Sequence, residues 1–202
     1  NSKAFSVSLN ELQNMNDDLK NLIKAMVSQA NLYLDTYFKN KLELNVGFTD
    51  LKLDNKKNIS ENISLKISYA GNKISSYHTF LNEARLSSLA ICLYLASIKI
   101  NPMPPDSTKI LYLDDVFIGL DMCNRIPLLE IIKDEFIDHE YQIFFSTFDR
   151  QWYELSRQWL EANKCKYKCI ELYTGDFDNT SIPDTPVVVN NRGDYLQCAK
   201  SY

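Results

Sequence analysis

Hydrophobic positions change their period along the chain. Over residues 8 to 39, Leu9, Leu12, Met15, Leu19, Leu22, Ile23, Met26, Ala30, Tyr33, Leu34 and Tyr37 recur mostly three or four apart, the spacing of one helical face. Ser8 with Glu11 three residues later fits a capping box at its start. A helix of about thirty residues is long for a globular domain. It is expected either to pack as ordinary core or to continue a coiled coil lying upstream. The segments 42–53 (LELNVGFTDLKL) and 63–70 (ISLKISYA) then alternate apolar and polar positions around the polar connector DNKKNISEN. That pattern predicts a hairpin with one buried face.

From residue 80 the period changes again. LNEARLSSLAICLYLASIKI predicts a helix over about 83–99, ended by the prolines of NPMPP. KILYLDDVF reads as an apolar strand, MCNRIPLLEIIKDEF as a helix, YQIFFST as a second apolar strand, FDRQWYELSRQWLEANK as an amphipathic helix and YKCIELYT as a third strand. Alternation of this kind predicts an α/β unit with a parallel sheet covered on both faces. Chemistry in such sheets gathers beyond the carboxyl ends of the strands, in loops that here begin at Asp114 and Ser146. After Gly175, DFDNTSIPDTP is expected to be a loop, VVVN a short strand or extended piece, and DYLQCAKSY the first turns of a helix.

Composition narrows the class without changing this outline. With 202 residues, 45% hydrophobic and 24% charged, the chain suits one soluble domain of ordinary size. No apolar run approaches the roughly 20 residues needed to span a bilayer, because Leu89–Ile100 is interrupted by Ser97 and Lys99. The first residues lack a secretory signal and an initiating Met, so the expectation is a cytoplasmic piece of a longer protein with no membrane contact. Five cysteines include only one close pair, Cys165 and Cys169, and the two histidines, His78 and His139, lie away from it. Reduced, packed thiols fit better than a metal site. A net charge of -4 gives no general attraction to nucleic acid, leaving a local basic patch open.

The residues that carry chemistry are acidic. Ile110-Leu111-Tyr112-Leu113-Asp114-Asp115 fits a Walker B pattern, in which one carboxylate at a strand tip holds Mg²⁺ through water and the next orients a water toward a γ-phosphate. The same pair is also a normal way to leave a sheet and cap a helix. Around it stand Leu81-Asn82-Glu83-Ala84-Arg85 upstream, and Gly119-Leu120-Asp121 and Phe144-Phe145-Ser146-Thr147-Phe148-Asp149 downstream.

In order and spacing these four segments resemble the signature loop, Walker B strand, D-loop and switch loop of an ABC-type ATPase head of the SMC, RecF and related DNA-repair type. The likeness covers about residues 40–175 and concerns the C-terminal lobe. The wording NEARLSSLA, LDDVFIGLDMCNR and STFDRQWYE is most similar to bacterial SMC-like AAA-family ATPases, several of which serve anti-phage defence. The resemblance implies a P-loop NTPase-type sheet flanked by helices (41–202), a long helix (1–40) as the returning arm of a coiled coil, and ATP and Mg²⁺ as cofactors. It implies Asp114 as the magnesium-associated acid and Asp115 in the place of the glutamate that polarises water. Asn82 would stand for the signature serine that touches a γ-phosphate held by the opposite subunit. Glu83, Ala84 and Arg85 would complete that loop, Asp121 would work at the dimer seam, and Thr147 and Phe148 would stand in the switch loop.

Three departures bear on the rate. Ala84 replaces a glycine, Asp115 is one methylene shorter than glutamate, and Phe148 replaces a histidine and cannot hydrogen-bond a phosphate. Thr147 or Asp149 would then have to contribute polarity. Slow hydrolysis by a long-lived ATP-bound dimer is the expectation.

None of Gly47, Gly71, Gly119, Gly175 and Gly193 begins the phosphate-binding G-x-x-x-x-G-K-[ST] loop. Gly71-Asn72-Lys73 is a turn followed by Ile74. The implied partners are therefore the protein's own N-terminal Walker A lobe and a second head, with DNA and a defence effector beyond them. A degenerate, non-catalytic dimerisation or sensor module is the competing class, and a two-acid nuclease lacks a second acidic cluster. His78 suits a packed or solvated turn better than catalysis. Trp152 and Trp159, seven apart, suit a core stripe, and Arg125 and Arg150 suit solvated helix ends better than nucleotide contacts.

Overall fold

The computed structural model describes residues 2–48, 52–53, 59–60, 63–101, 104, 106–174 and 186–191. The chain divides into two compact units, Asn1–Ser146 and Thr147–Tyr202.

The first unit opens with helix α1, Ser2–Thr36. It starts six residues before Ser8, so Ser8 lies inside the helix and the expected capping box does not form there. The hairpin is present as β1, Leu42–Phe48, antiparallel to β4, Ile63–Tyr69, with Leu42 opposite Tyr69 and Phe48 opposite Ile63. Its first strand is shorter than the alternation suggests. The two-residue strands β2, Lys52–Leu53, and β3, Ile59–Ser60, pair separately within the connector. Strand β5, Asn72–Lys73, turns back on β4 through Ala70 and Gly71, both with positive φ.

Helix α1 packs on α3, Glu83–Ile100, and on β1. Ala30, Tyr33 and Leu34 from α1, Leu42 and Leu44 from β1, and Leu89, Cys92, Leu95 and Ala96 from α3 are all buried. A short helix α2, Tyr77–Phe80, precedes α3; the side chain of His78 lies outside the described residues.

One polar side chain locks helix to hairpin. The Asn31 amide donates to the Leu44 carbonyl at 2.9 Å, and its Oδ1 accepts from the Leu44 N–H at 2.8 Å, as a neighbouring strand would do. Asn31→Ala leaves both backbone groups unpaired next to a fully buried leucine. It is expected to destabilise the protein by about 2–3 kcal/mol, read as a lower urea midpoint at unchanged slope.

The parallel element consists of β6, Ile110–Asp114, and β7, Gln142–Ser146, joined by α4, Met122–Glu135, and a 3₁₀ turn, Ile137–His139. Two sequence expectations need correction here. Among the described residues β6 and β7 pair only with each other, and the sheet is not covered on both faces. Leu111 and Leu113 point inward and are buried, whereas Ile110, Tyr112 and Phe144 on the other face are 54%, 60% and 46% exposed. An apolar run marks a strand fit for two-sided burial but does not say whether a second layer covers it.

In the second unit, α5, Arg150–Ala162, leads to β8, Cys169–Thr174. The expected third parallel strand instead pairs antiparallel with β9, Pro186–Asn191, with Cys169 opposite Asn191. Strand β9 includes the VVVN segment. The segments DFDNTSIPDTP (176–186, except Pro186 in β9) and DYLQCAKSY lie outside the described residues. Among the described residues no helix is long and apolar enough to cross a membrane.

Buried protons tie the first unit to alkaline pH. Burial pushes the Cys92 thiol from 9.0 up to about 12. Burial, and then the Asp134 and Glu135 carboxylates, push the Tyr37 hydroxyl from 10.0 up to about 12. Both groups hold their protons more tightly folded than unfolded. Their contribution is therefore complete below pH 9 and is lost as pH rises toward 12. Cys92 alone accounts for about 2–3 kcal/mol of lost stability between about pH 9 and 11. Urea titrations across that range should show this decline, and Cys92→Ala should make it shallower while the Tyr37 contribution remains.

Candidate functional site

The parallel register sets Asp114 opposite Ser146 at the carboxyl ends of β6 and β7. The Ser146 hydroxyl donates to Asp114 Oδ1 at 2.5 Å, within the range for a hydroxyl on a carboxylate. Asp114 is exposed, on the same sheet face as Ile110, Tyr112 and Phe144.

Asp115 leaves the strand differently. Its φ is +50°, a left-handed backbone that aspartate tolerates better than most side chains. The turn is closed by Ile118 N–H donating to the Asp115 carbonyl and Leu120 N–H donating to the Phe117 carbonyl, each at 3.1 Å. It is anchored below by Phe117 and Leu120, both buried, with the Phe117 ring edge-on to Phe145 at 5.6 Å. The anchored turn holds Asp115 half-buried, and its Oδ1 is buried without a hydrogen-bond partner among the described residues. An unpaired buried carboxylate oxygen is costly and suits an added donor such as a water or a ligand.

The segment after the turn is fixed from two sides. Asp121 is the N-cap of α4, accepting from the Asn124 N–H at 3.0 Å. Arg125 Nε donates to the Leu120 carbonyl at 3.1 Å, so this guanidinium holds the turn instead of standing as a solvated helix end. Gly119 leans on α3 so closely that a Cβ there would meet Ser87 Oγ at 2.8 Å. The loop carrying Gly119 and Asp121 is thereby mechanically joined to the helix that Asn82 opens.

At the start of α3, Asn82 is the N-cap, and its Oδ1 accepts from the Arg85 N–H at 3.0 Å. Asn82, Glu83 and Arg85 are exposed and Ala84 is half-buried. The Arg85 guanidinium lies over the Tyr69 ring, 5.6 Å from its centroid.

The structure thus brings Asp114, Asp115 and Ser146 to one sheet end and couples the Gly119 loop to α3. Among the described residues it records no hydrogen bond or ion pair between Asn82, Glu83 or Arg85 and either aspartate. Ser146 was missed as a site residue by sequence reasoning. Aligning the ends of the two apolar strands in parallel would have placed it opposite Asp114.

In the second unit, Thr147 Oγ1 accepts from the Asp149 N–H at 3.1 Å, and Asp149 caps α5 by accepting from the Trp152 N–H at 3.1 Å. Both side chains are engaged in their own turn. Phe148 between them is 78% exposed. Arg150 is not a solvated helix end: it pairs with Glu171 at 2.8 Å and Glu154 at 2.6 Å. Trp152 is buried, as a core stripe requires, and Trp159 is partly exposed.

Among known proteins, a solved structure that matches this chain superposes on nearly its whole length. It covers 92% of this chain and 93% of its own, with a TM-score of 0.56 and 15% sequence identity, and comes from work on the structural biochemistry of ATP-driven dimerization and DNA stimulated activation of SMC ATPases. The fold resembles that of an SMC ATPase head. No family model and no curated protein matches the chain. At this identity the likeness establishes the SMC-head fold, mixed α/β with parallel and antiparallel sheets. Specific activity rests on the residues.

Proposed function

We propose that this chain is the second lobe of an SMC-like, ABC-type ATPase head. It joins a lobe carrying the phosphate loop and, in a head-to-head dimer, helps bind and hydrolyse ATP in work on DNA. The observation that carries this reading is the end of the β6–β7 pair, where Asp114, Ser146 and the unpartnered Asp115 oxygen converge beside a loop braced on α3.

Two surfaces support it. Ile110, Tyr112 and Phe144 form an exposed apolar sheet face running up to Asp114, the side on which the phosphate-loop lobe is proposed to dock. Met15, Leu19 and Leu22 are exposed on α1 at spacings of four and three, which suits the proposed returning arm of a coiled coil.

Among the described residues no group of three or more His, Cys, Asp or Glu could hold a metal ion. That fits Mg²⁺, which keeps several waters and binds through one or two carboxylates plus phosphate oxygens. Asp114, steadied by Ser146, would hold it through water, and the ion would supply charge neutralisation at the phosphates. Asp115 would accept a hydrogen bond from the attacking water and orient it. Its short side chain, with Phe148 where a histidine is expected, favours slow turnover.

Phe148 and Ala84 also favour a second reading, in which ATP only holds the dimer together. Both readings require ATP-dependent association. In the protein carrying both lobes, ATP with Mg²⁺ should convert monomers to dimers in sedimentation velocity while ADP does not. A species that stays monomeric at saturating ATP would remove both.

A further inference from the structure

Gly119 answers a need for space and not for an unusual backbone. Among the described residues the glycine with a left-handed φ is Gly71, at 79°, and Gly119 keeps an ordinary φ that any residue adopts. Its missing side chain is used for contact instead. A Cβ at this position would meet Ser87 Oγ at 2.8 Å and Ser87 Cβ at 3.4 Å. The first approach is too close for carbon on oxygen, and turning the hydroxyl aside leaves the second as bare van der Waals contact.

The two sides of this contact differ in how far they can yield. Ser87 stands on α3, which packs on α1 and buries Leu89, Cys92, Leu95 and Ala96. Shifting that helix would open a packed interior. Gly119 stands in the turn closed by Ile118 N–H on the Asp115 carbonyl and Leu120 N–H on the Phe117 carbonyl, with Ile118 exposed at the surface. Phe117 and Leu120, both buried, fix the turn from below, and Ser87 stops it from the side. An atom added at Gly119 therefore pushes the turn and not the helix. Asp115, whose carbonyl the turn holds, moves with it.

Resting on the role proposed for Asp115, we infer that Gly119 is a positioning residue for ATP hydrolysis. Its bare backbone against Ser87 sets the lateral place of the turn, and with it the point from which the Asp115 carboxylate orients the attacking water. Displacing such a group by about 1 Å can cost up to about a hundredfold in rate, so a contact this close is enough to matter.

The test uses the protein carrying both lobes. Gly119→Ala should lower kcat by roughly three- to tenfold and Gly119→Val by more, with little change in KM for ATP. Ser87→Ala removes the obstructing oxygen. By itself it should stay close to the unmutated rate, and combined with Gly119→Ala it should bring kcat back to within about twofold of that rate. Added to Asp115→Asn, Gly119→Ala should slow the residual reaction no further, because effects that act through one group do not add. Hydrogen exchange supplies a readout apart from activity: the Ile118 and Leu120 amides should exchange faster in Gly119→Ala and recover when Ser87→Ala is added.

Gly119→Ala and Gly119→Val proteins of normal kcat overturn the inference. A loss in Gly119→Ala that Ser87→Ala does not restore overturns it too, as does a loss that adds to that of Asp115→Asn. Should Gly119→Val fail to fold, Gly119→Ala and its rescue decide the matter. If Asp115→Asn itself hydrolyses ATP normally, the failure lies in the proposed function, and amide exchange still shows whether Ser87 fixes the turn.

Discussion

Asp115→Asn is expected to lower ATP hydrolysis by the two-lobed protein about a hundredfold or more, with ATP-dependent dimerisation preserved. The carboxylate is proposed to act on the attacking water, an interaction made fully only in the transition state, so kcat should fall while apparent affinity for ATP changes little. The fold should tolerate the change. Asparagine accepts the left-handed backbone at φ +50° as readily as aspartate, and neutralising an acid whose Oδ1 is buried without a partner removes a desolvation penalty. Thermal stability should be equal or slightly higher. An unchanged hydrolysis rate would take away the role of Asp115 and favour ATP as a dimer-holding ligand.

Phe117→Ala is expected to be the most destabilising single change near the site. Phe117 is buried beneath the turn from Asp115 to Leu120 and stacks edge-on with Phe145 on β7. Truncation removes an aromatic side chain from a packed interior, a loss of about 3–5 kcal/mol. It also loosens the support of a backbone held in a left-handed conformation. Denaturation should report the stability loss. A variant such as Phe117→Leu, which refills most of the volume, should retain the fold yet hydrolyse ATP more slowly if the turn positions Asp115. Equal rates for Phe117→Leu and wild type would show that the turn carries no such burden.

Much of this arrangement was legible in the sequence for identifiable reasons. The β1–β4 hairpin was readable because Leu42 and Leu44 alternate with polar neighbours, and a two-residue period leaves few other structures. The β6 strand and its acidic end were readable because an apolar run terminated by two carboxylates has few places to go except a sheet edge. Helix α3 was bounded by chemistry at both ends, Asn82 capping its start and the prolines after Asn101 following its end.

The remainder depends on contacts that no local pattern encodes. Nothing about YKCIELYT distinguishes a third parallel strand from one that pairs antiparallel with β9, since apolar runs carry no direction. Ser8 carries the chemistry of a cap, but the helical path continues upstream and overrides it. Asn31 reads as one more polar residue on a helix, although its amide substitutes for a strand beside Leu44. The left-handed Asp115, the Gly119 approach to Ser87 and the Arg85 platform on Tyr69 each join positions set by the fold.

The central claim is that this chain completes an ATP site whose phosphate loop lies on another lobe. Its most direct test is ATP hydrolysis by the chain alone and after co-expression with a phosphate-loop lobe. Expected are no measurable hydrolysis alone and Mg²⁺-dependent hydrolysis with the lobe, removed by Asp115→Asn. Hydrolysis by the chain alone, insensitive to Asp115→Asn, would contradict it.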